Sequence, residues 1–172
     1  MREVCCFIGH NEVEEEDKAD LVLRVMKVVE QLILYRNVDT FLFGNTGAFN
    51  AICYKVVTHY KEKYPDLIRV CVPCSQEAGF ERPSDIETGK DPLHVERVYW
   101  IEKLAKAGKA GYVERNQIMI DDSSVCVFYY GHGVDADGKI KGQRKSGTCV
   151  AYEYAMKKHK AIINTYIFNR TK

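Results

Sequence analysis

The chain has 172 residues, of which 46% are apolar and 28% charged, with a net charge of +1. That length suits a single domain burying about two-thirds of the surface its unfolded chain would expose. The near-neutral balance excludes the basic field of a general nucleic-acid binder, no apolar run reaches transmembrane length, and Met1-Arg-Glu-Val leads into a strand rather than a signal peptide, so a cytoplasmic protein is expected.

Val4-Cys-Cys-Phe-Ile8, all apolar, followed by Gly9-His10-Asn11, predicts a central parallel strand ending in a tight loop. His10 there is a candidate general base, a donor to a sugar hydroxyl, or a brace for its own loop. Glu12 to Lys18 is strongly acidic, and Ala19 to Tyr35 carries Leu21, Val25, Val28, Val29, Leu32 and Ile33 at helical spacing. Acids at a helix start suit its dipole, and the plain expectation is a solvated first turn, too negative to hold phosphate. Asp39 to Phe43 is the second strand. Gly44-Asn45-Thr46-Gly47 then leads into a helix over 48–63 with Phe49, Ile52, Cys53, Val56, Val57 and Tyr60 on one face. A GxxG turn lets backbone approach an anion, although such loops also carry glycine simply to reach positive φ. Leu67 to Val72 is the third strand.

Cys71-Val-Pro-Cys74 closes that strand. Without a second pair or a nearby HxxxH it defines no zinc site, and a redox pair would open a helix instead. The seven cysteines are an odd number, mostly inside apolar segments, and read as buried free thiols. No metal and no cofactor is expected. Residues 73–94 are polar and aperiodic and hold three prolines, which predicts a lid or an irregular excursion. Glu96 to Ile101 is a fourth strand, 103–111 a lysine-rich connection, and Tyr112 to Asp122 a helix bearing Arg115-Asn116. Arg115 suits bidentate contact with phosphate, or else an ion pair with Asp121 or Asp122.

Val125 to Tyr130 is a buried fifth strand, and 131–145 is a glycine-rich exposed connection. Its Asp135-Ala-Asp137-Gly138 lacks the twelfth-position glutamate of a calcium loop. In Arg144-Lys-Ser-Gly-Thr148, Ser146 is a helix N-cap and Gly147 allows close approach. The helix starting there offers unpaired N–H groups and a partial positive charge to a phosphate or carboxylate. Lys157-Lys-His-Lys160 places cations at that helix's C-terminus, and Ala161 to Asn164 is the sixth strand. The alternation predicts an α/β fold: one domain over 1–172 with a doubly wound, mostly parallel sheet of about six strands. The glycine-bearing corners should then converge at the carboxyl edge of the sheet.

Four motifs, Cys6-Phe-Ile-Gly-His10, Phe43-Gly-Asn-Thr-Gly-Ala-Phe-Asn50, Glu114-Arg-Asn-Gln-Ile-Met119 and Lys145-Ser-Gly-Thr148 with Ala151-Tyr-Glu-Tyr-Ala155, occur in order along nearly the whole chain. In this the sequence resembles the YpsA-like branch of the SLOG superfamily. The resemblance implies a Rossmann-like three-layer sandwich and kinship with lonely-guy (lysine-decarboxylase-like) phosphoribohydrolases, with the DNA-processing protein DprA, and with sensors of nucleotide-derived signals. It implies ligand contacts from Gly9, His10, Gly44, Asn45, Thr46, Gly47, Asn50, Arg115, Asn116, Ser146, Gly147 and Thr148. Two positions depart from the family pattern: Asn11 stands where arginine is usual, and Asn50 where aspartate is usual.

In the phosphoribohydrolases a glutamate follows the Gly-Thr pair by three residues; here that residue is Ala151. Glu153 lies two positions on, about 200° around a helix, so a small slip cannot substitute it. The catalytic candidates are therefore Arg115, Glu153 and His10 without an assigned role. The leading expectation is binding of a nucleotide-like small molecule such as ADP-ribose or a nucleoside phosphate. The alternatives are N-glycosidic hydrolysis of nucleoside 5′-monophosphates, for which a carboxylate near the sugar is generally required, and a partner- or DNA-binding role without a small ligand. The charge disfavours DNA, no membrane contact is expected, and a homodimer stays open.

Overall fold

The computed structural model describes residues 2–44, 46–74, 95–99, 101, 109–131 and 146–167. Strand and helix alternate through them: β1 (Glu3–Gly9), α1 (Glu15–Arg36), β2 (Val38–Phe43), α2 (Ala48–Lys63), β3 (Ile68–Cys71), β4 (Arg97–Val98), α3 (Lys109–Asp121), β5 (Val125–Tyr129), α4 (Gly147–Lys157) and β6 (Ala161–Asn164). The strands form one six-stranded sheet in the order β4-β3-β2-β1-β5-β6, and each neighbouring pair is parallel.

Successive side chains of a strand point to opposite faces, and the two central strands use both faces for core. Cys5 and Phe7 of β1, with Val125, Val127 and Tyr129 of β5, pack under α1 and α2. Cys6 and Ile8, with Cys126 and Phe128, pack under α3 and α4. The result is a Rossmann-like three-layer sandwich. Phe7 stacks on Phe41 and Phe43 and meets Phe49 edge-on, with ring centroids 5.2–6.4 Å apart; such pairs contribute about 0.5–1.5 kcal/mol each beyond burial. The chain steps outward from β1 to β4 and returns to lay β5 on the other side of β1. The carboxyl ends of β1 and β5 thus flank a topological switch point, where open α/β sheets leave a crevice.

Several features differ from the sequence expectation. The acidic first turn of α1 is not wholly solvated. Asp17 is buried, receives both carboxylate contacts from Nη2 of Arg24 (2.9 and 3.1 Å), and accepts the Tyr129 hydroxyl proton at 2.9 Å. The fourth strand shrinks to two residues. As an edge strand it has one neighbour, and Glu96 before it is taken up by Arg69, whose Nη2 lies 2.7 Å from Oε1. Helix α3 begins at Lys109, earlier than its apolar spacing suggested. Lys160 does not serve the end of its own helix. Its Nζ donates to the carbonyls of Asp121 and Ser123 at 3.1 and 2.7 Å, capping α3. Asn45, the excursion over 75–94, the connection over 102–108 and the glycine-rich stretch over 132–145, with its aspartates, Arg144 and Lys145, lie outside the described residues.

Candidate functional site

A cavity of about 470 Å³ opens at the switch point, lined from five directions: the end of β1 through Asn11, Gly44 and Thr46 after β2, Asn50 on α2, Tyr112, Arg115 and Asn116 on α3, and Ser146 to Thr148 at the head of α4. Gly44, Arg115 and Gly147, far apart in sequence, share this one cleft. Its volume lies within the usual range for small-ligand sites.

Arg115 is the charged side chain among the described lining residues, and it is 6% exposed. The geometry fixes it from behind. Nε donates to Asn116 Oδ1 at 2.9 Å, Nη1 donates to the Val72 carbonyl at 3.2 Å, and the guanidinium carbon sits 5.7 Å from the Tyr112 ring centroid. The ion pair with Asp121 or Asp122 that the sequence allowed is not the arrangement found; Asp121 accepts from the Tyr154 hydroxyl at 2.8 Å and pairs with Lys158 at 3.5 Å. A Cβ on Gly44 would lie 2.5 Å from Arg115 Nη1, so glycine here makes room for the guanidinium. Gly9 has a different duty: a Cβ would strike the Phe49 ring at 2.4 Å, so it lets α2 close on β1.

The loop after β2 is held by its own side chains. Asn50 Oδ1 accepts the Gly44 N–H and Nδ2 donates to the Thr46 carbonyl, both at 3.2 Å. An aspartate could make the first bond and not the second. Gly47 has φ +92°, a value that L side chains rarely adopt, and caps α2. The first amide of α2, Ala48 N–H, is already taken by the Asn11 carbonyl at 2.8 Å, and Asn11 Oδ1 stands 3.0 Å from where a Gly47 Cβ would sit. Asn11 thus packs the β1 loop against the head of α2.

Helix α4 presents the more open terminus. Ser146 Oγ accepts the Cys149 N–H at 3.1 Å, as an N-cap should, and the Ser146 carbonyl accepts from Val150. The N–H groups of Gly147 and Thr148 find no acceptor among the described residues. Thr148 is 7% exposed and its hydroxyl also finds no partner there. Nothing lies within 4 Å of a Cβ position on Gly147, so the backbone faces open space.

His10 does not brace its own loop but the exit of β5. Its Nε2 accepts the Gly131 N–H at 3.1 Å, which leaves the ring proton on Nδ1. Burial pushes its pKa below the ordinary histidine value, against a smaller upward pull from the Gly131 bond, so the imidazole is neutral at pH 7. Glu153, by contrast, is exposed, lies outside the cavity lining and has Cys149 Sγ 4.0 Å from Oε1. Ala151 is buried against the sheet.

Sequence reading missed Tyr112 and the Val72 carbonyl. Tyr112 was findable, because it stands one turn before Arg115 on the same helix face; a backbone carbonyl leaves no mark in composition. Of the cysteines, six are buried and Cys149 is half-buried, all as free thiols. Among the described residues no group of three or more His, Cys, Asp or Glu could hold a metal ion, and no helix is long and apolar enough to cross a membrane. Compared with known proteins, the chain matches no family model and no curated protein.

Proposed function

We propose that this protein binds a nucleotide-derived, phosphate-bearing ligand, such as ADP-ribose or a nucleoside phosphate, in the cleft at the carboxyl edge of the sheet. One observation carries the reading. A guanidinium locked in place, two helix-start amides and a buried hydroxyl that find no partner among the described residues face the same cavity, and its described lining contains no carboxylate. A buried donor such as that of Thr148 is costly unless a ligand or water supplies an acceptor, and a helix N-terminus is a natural anion site. A phosphate would rest on the Gly147 and Thr148 amides with Arg115 across from it, and the Tyr112 ring would flank the remainder. The resemblance to the SLOG superfamily points the same way, and the buried thiols suit a reducing, cytoplasmic setting.

The hydrolase alternative ranks second, since Glu153 faces outward and Ala151 faces the sheet. Incubation with AMP and related monophosphates tests it, and release of free base would reinstate it.

Isothermal calorimetry against AMP, ADP and ADP-ribose is the direct test. The wild type should bind at least one of them, and Arg115→Ala should lose about tenfold or more, since a charge-assisted hydrogen bond contributes about 1.5–3 kcal/mol. Equal affinities in the two proteins would end the proposal.

A further inference from the structure

Asn116 lines the cavity from α3 and is 8% exposed. Its side-chain oxygen accepts from Arg115 Nε at 2.9 Å. A guanidinium nitrogen can only donate, so this bond settles which end of the amide is oxygen and which is nitrogen. The nitrogen, Nδ2, carries two hydrogens and finds no acceptor among the described residues. A buried donor in that state is costly unless a ligand or water completes it.

The committed oxygen narrows what Asn116 can recognise. An asparagine with both ends open can pair with adenine through a donor and an acceptor together. Here the acceptor is spent on Arg115, and the remaining end selects for an atom with a lone pair. A phosphate has stronger hosts in the same cleft, the charge of Arg115 and the amides of Gly147 and Thr148. A neutral amide is left for a neutral acceptor. Tyr112 stands four residues before Asn116, on the same face of α3, and lines the same cavity. An aromatic ring with an amide donor one turn beyond it suits the uncharged part of a nucleotide, whose base offers a flat face and whose base and sugar both offer acceptors. The donor is also placed in advance, because Arg115 is itself anchored on the Val72 carbonyl at 3.2 Å, so little ordering is needed when a ligand arrives.

We infer that Asn116 is a specificity-determining residue of this cleft, donating through Nδ2 to an uncharged acceptor on the sugar or base of the ligand while other groups hold the phosphate. This rests on the ligand reading proposed above and adds to it a group that phosphate alone leaves unmet.

Proton–nitrogen NMR spectra of the full chain test it, titrated with inorganic phosphate, with ribose 5-phosphate and with whichever of AMP, ADP and ADP-ribose binds tightest. Inorganic phosphate should move the Gly147 and Thr148 backbone amides and leave the Asn116 side-chain NH2 pair in place. The nucleotide should move both. A response of the NH2 pair to ribose 5-phosphate assigns the acceptor to the sugar, and a response to the nucleotide alone assigns it to the base. Asn116→Ala should weaken the nucleotide about three- to tenfold, as loss of one hydrogen bond does, and keep phosphate affinity within about twofold of wild type. A residue that only positioned Arg115 would weaken both alike. The wild-type spectra decide the matter even where the variant does not fold. Should the nucleotide bind through Arg115 while the NH2 pair stays still, or should Asn116→Ala weaken phosphate and nucleotide to the same degree, the role of Asn116 falls and the ligand reading survives. Binding of none of the nucleotides removes both.

Discussion

At Gly44 a side chain would press on the tip of Arg115, 2.5 Å from Nη1 and 3.0 Å from the guanidinium carbon. The tip of a long side chain can yield where backbone cannot, so Gly44→Ala should fold while swinging the guanidinium off the Val72 carbonyl. We expect its nucleotide affinity to fall about tenfold with a melting temperature within a few degrees of wild type; calorimetry and thermal denaturation on the same sample check both. Unchanged affinity would mean that Arg115 is not the clamp. His10 makes a second residue-scale case. Because Nε2 accepts from Gly131, its ring should show the ¹⁵N shifts of the neutral Nδ1–H form at pH 7. An imidazolium spectrum at that pH would contradict the bond. The neutral ring offers a ligand a donor, and its acceptor nitrogen is already committed.

The elements are joined by a few polar contacts that matter more than their number. Asp17 in the first turn of α1 is gripped by Arg24 and by the Tyr129 hydroxyl, and Arg24 Nε reaches the Thr165 carbonyl at 2.9 Å, so one carboxylate ties α1 to β5 and to the segment beyond β6. Asp17→Ala should cost about 2–3 kcal/mol in urea denaturation, since it strands a part-buried guanidinium and a buried hydroxyl. A loss below about 0.5 kcal/mol would show the network to be dispensable. This network also shows where sequence reading stops. Apolar spacing located α2 to the residue, because Phe49, Cys53, Val56 and Tyr60 face the sheet one turn apart. Ser146 announced its helix by local chemistry. Asp17 looked like any acid at a helix start, since the tyrosine that buries it arrives 112 residues later. The cleft follows the same rule. Arg115 and Gly147 declare themselves by residue type, whereas the reason for Gly44 lies on another element.

Over the molecule as a whole, acid stability should turn on Glu96, which fastens the short edge strand to β3 through Arg69. Partial burial of this carboxyl works to raise its pKa, but the Arg69 hydrogen bonds and charge, with help from Lys61, outweigh it and bring it to about 2 from 4.5. A depressed folded-state pKa means that the unfolded chain takes up the proton first. The stabilisation is therefore complete above about pH 4.5 and drains away as the pH falls toward 2. With the pair partly open to solvent, Glu96→Gln should lower stability at neutral pH by about 1–2 kcal/mol, and the gap to wild type should close in acid. A gap that stays constant with pH would refute this. The order of the sheet has a consequence for synthesis. Cys5 lies beside Phe41 on one flank and Val125 on the other. One edge of β1 therefore waits for about 120 residues to emerge, leaving a row of unpaired amides beside greasy side chains on a half-made chain. Nascent protein released early should aggregate through that edge, and refolding should be slow, limited by the search for a neighbour so distant along the chain.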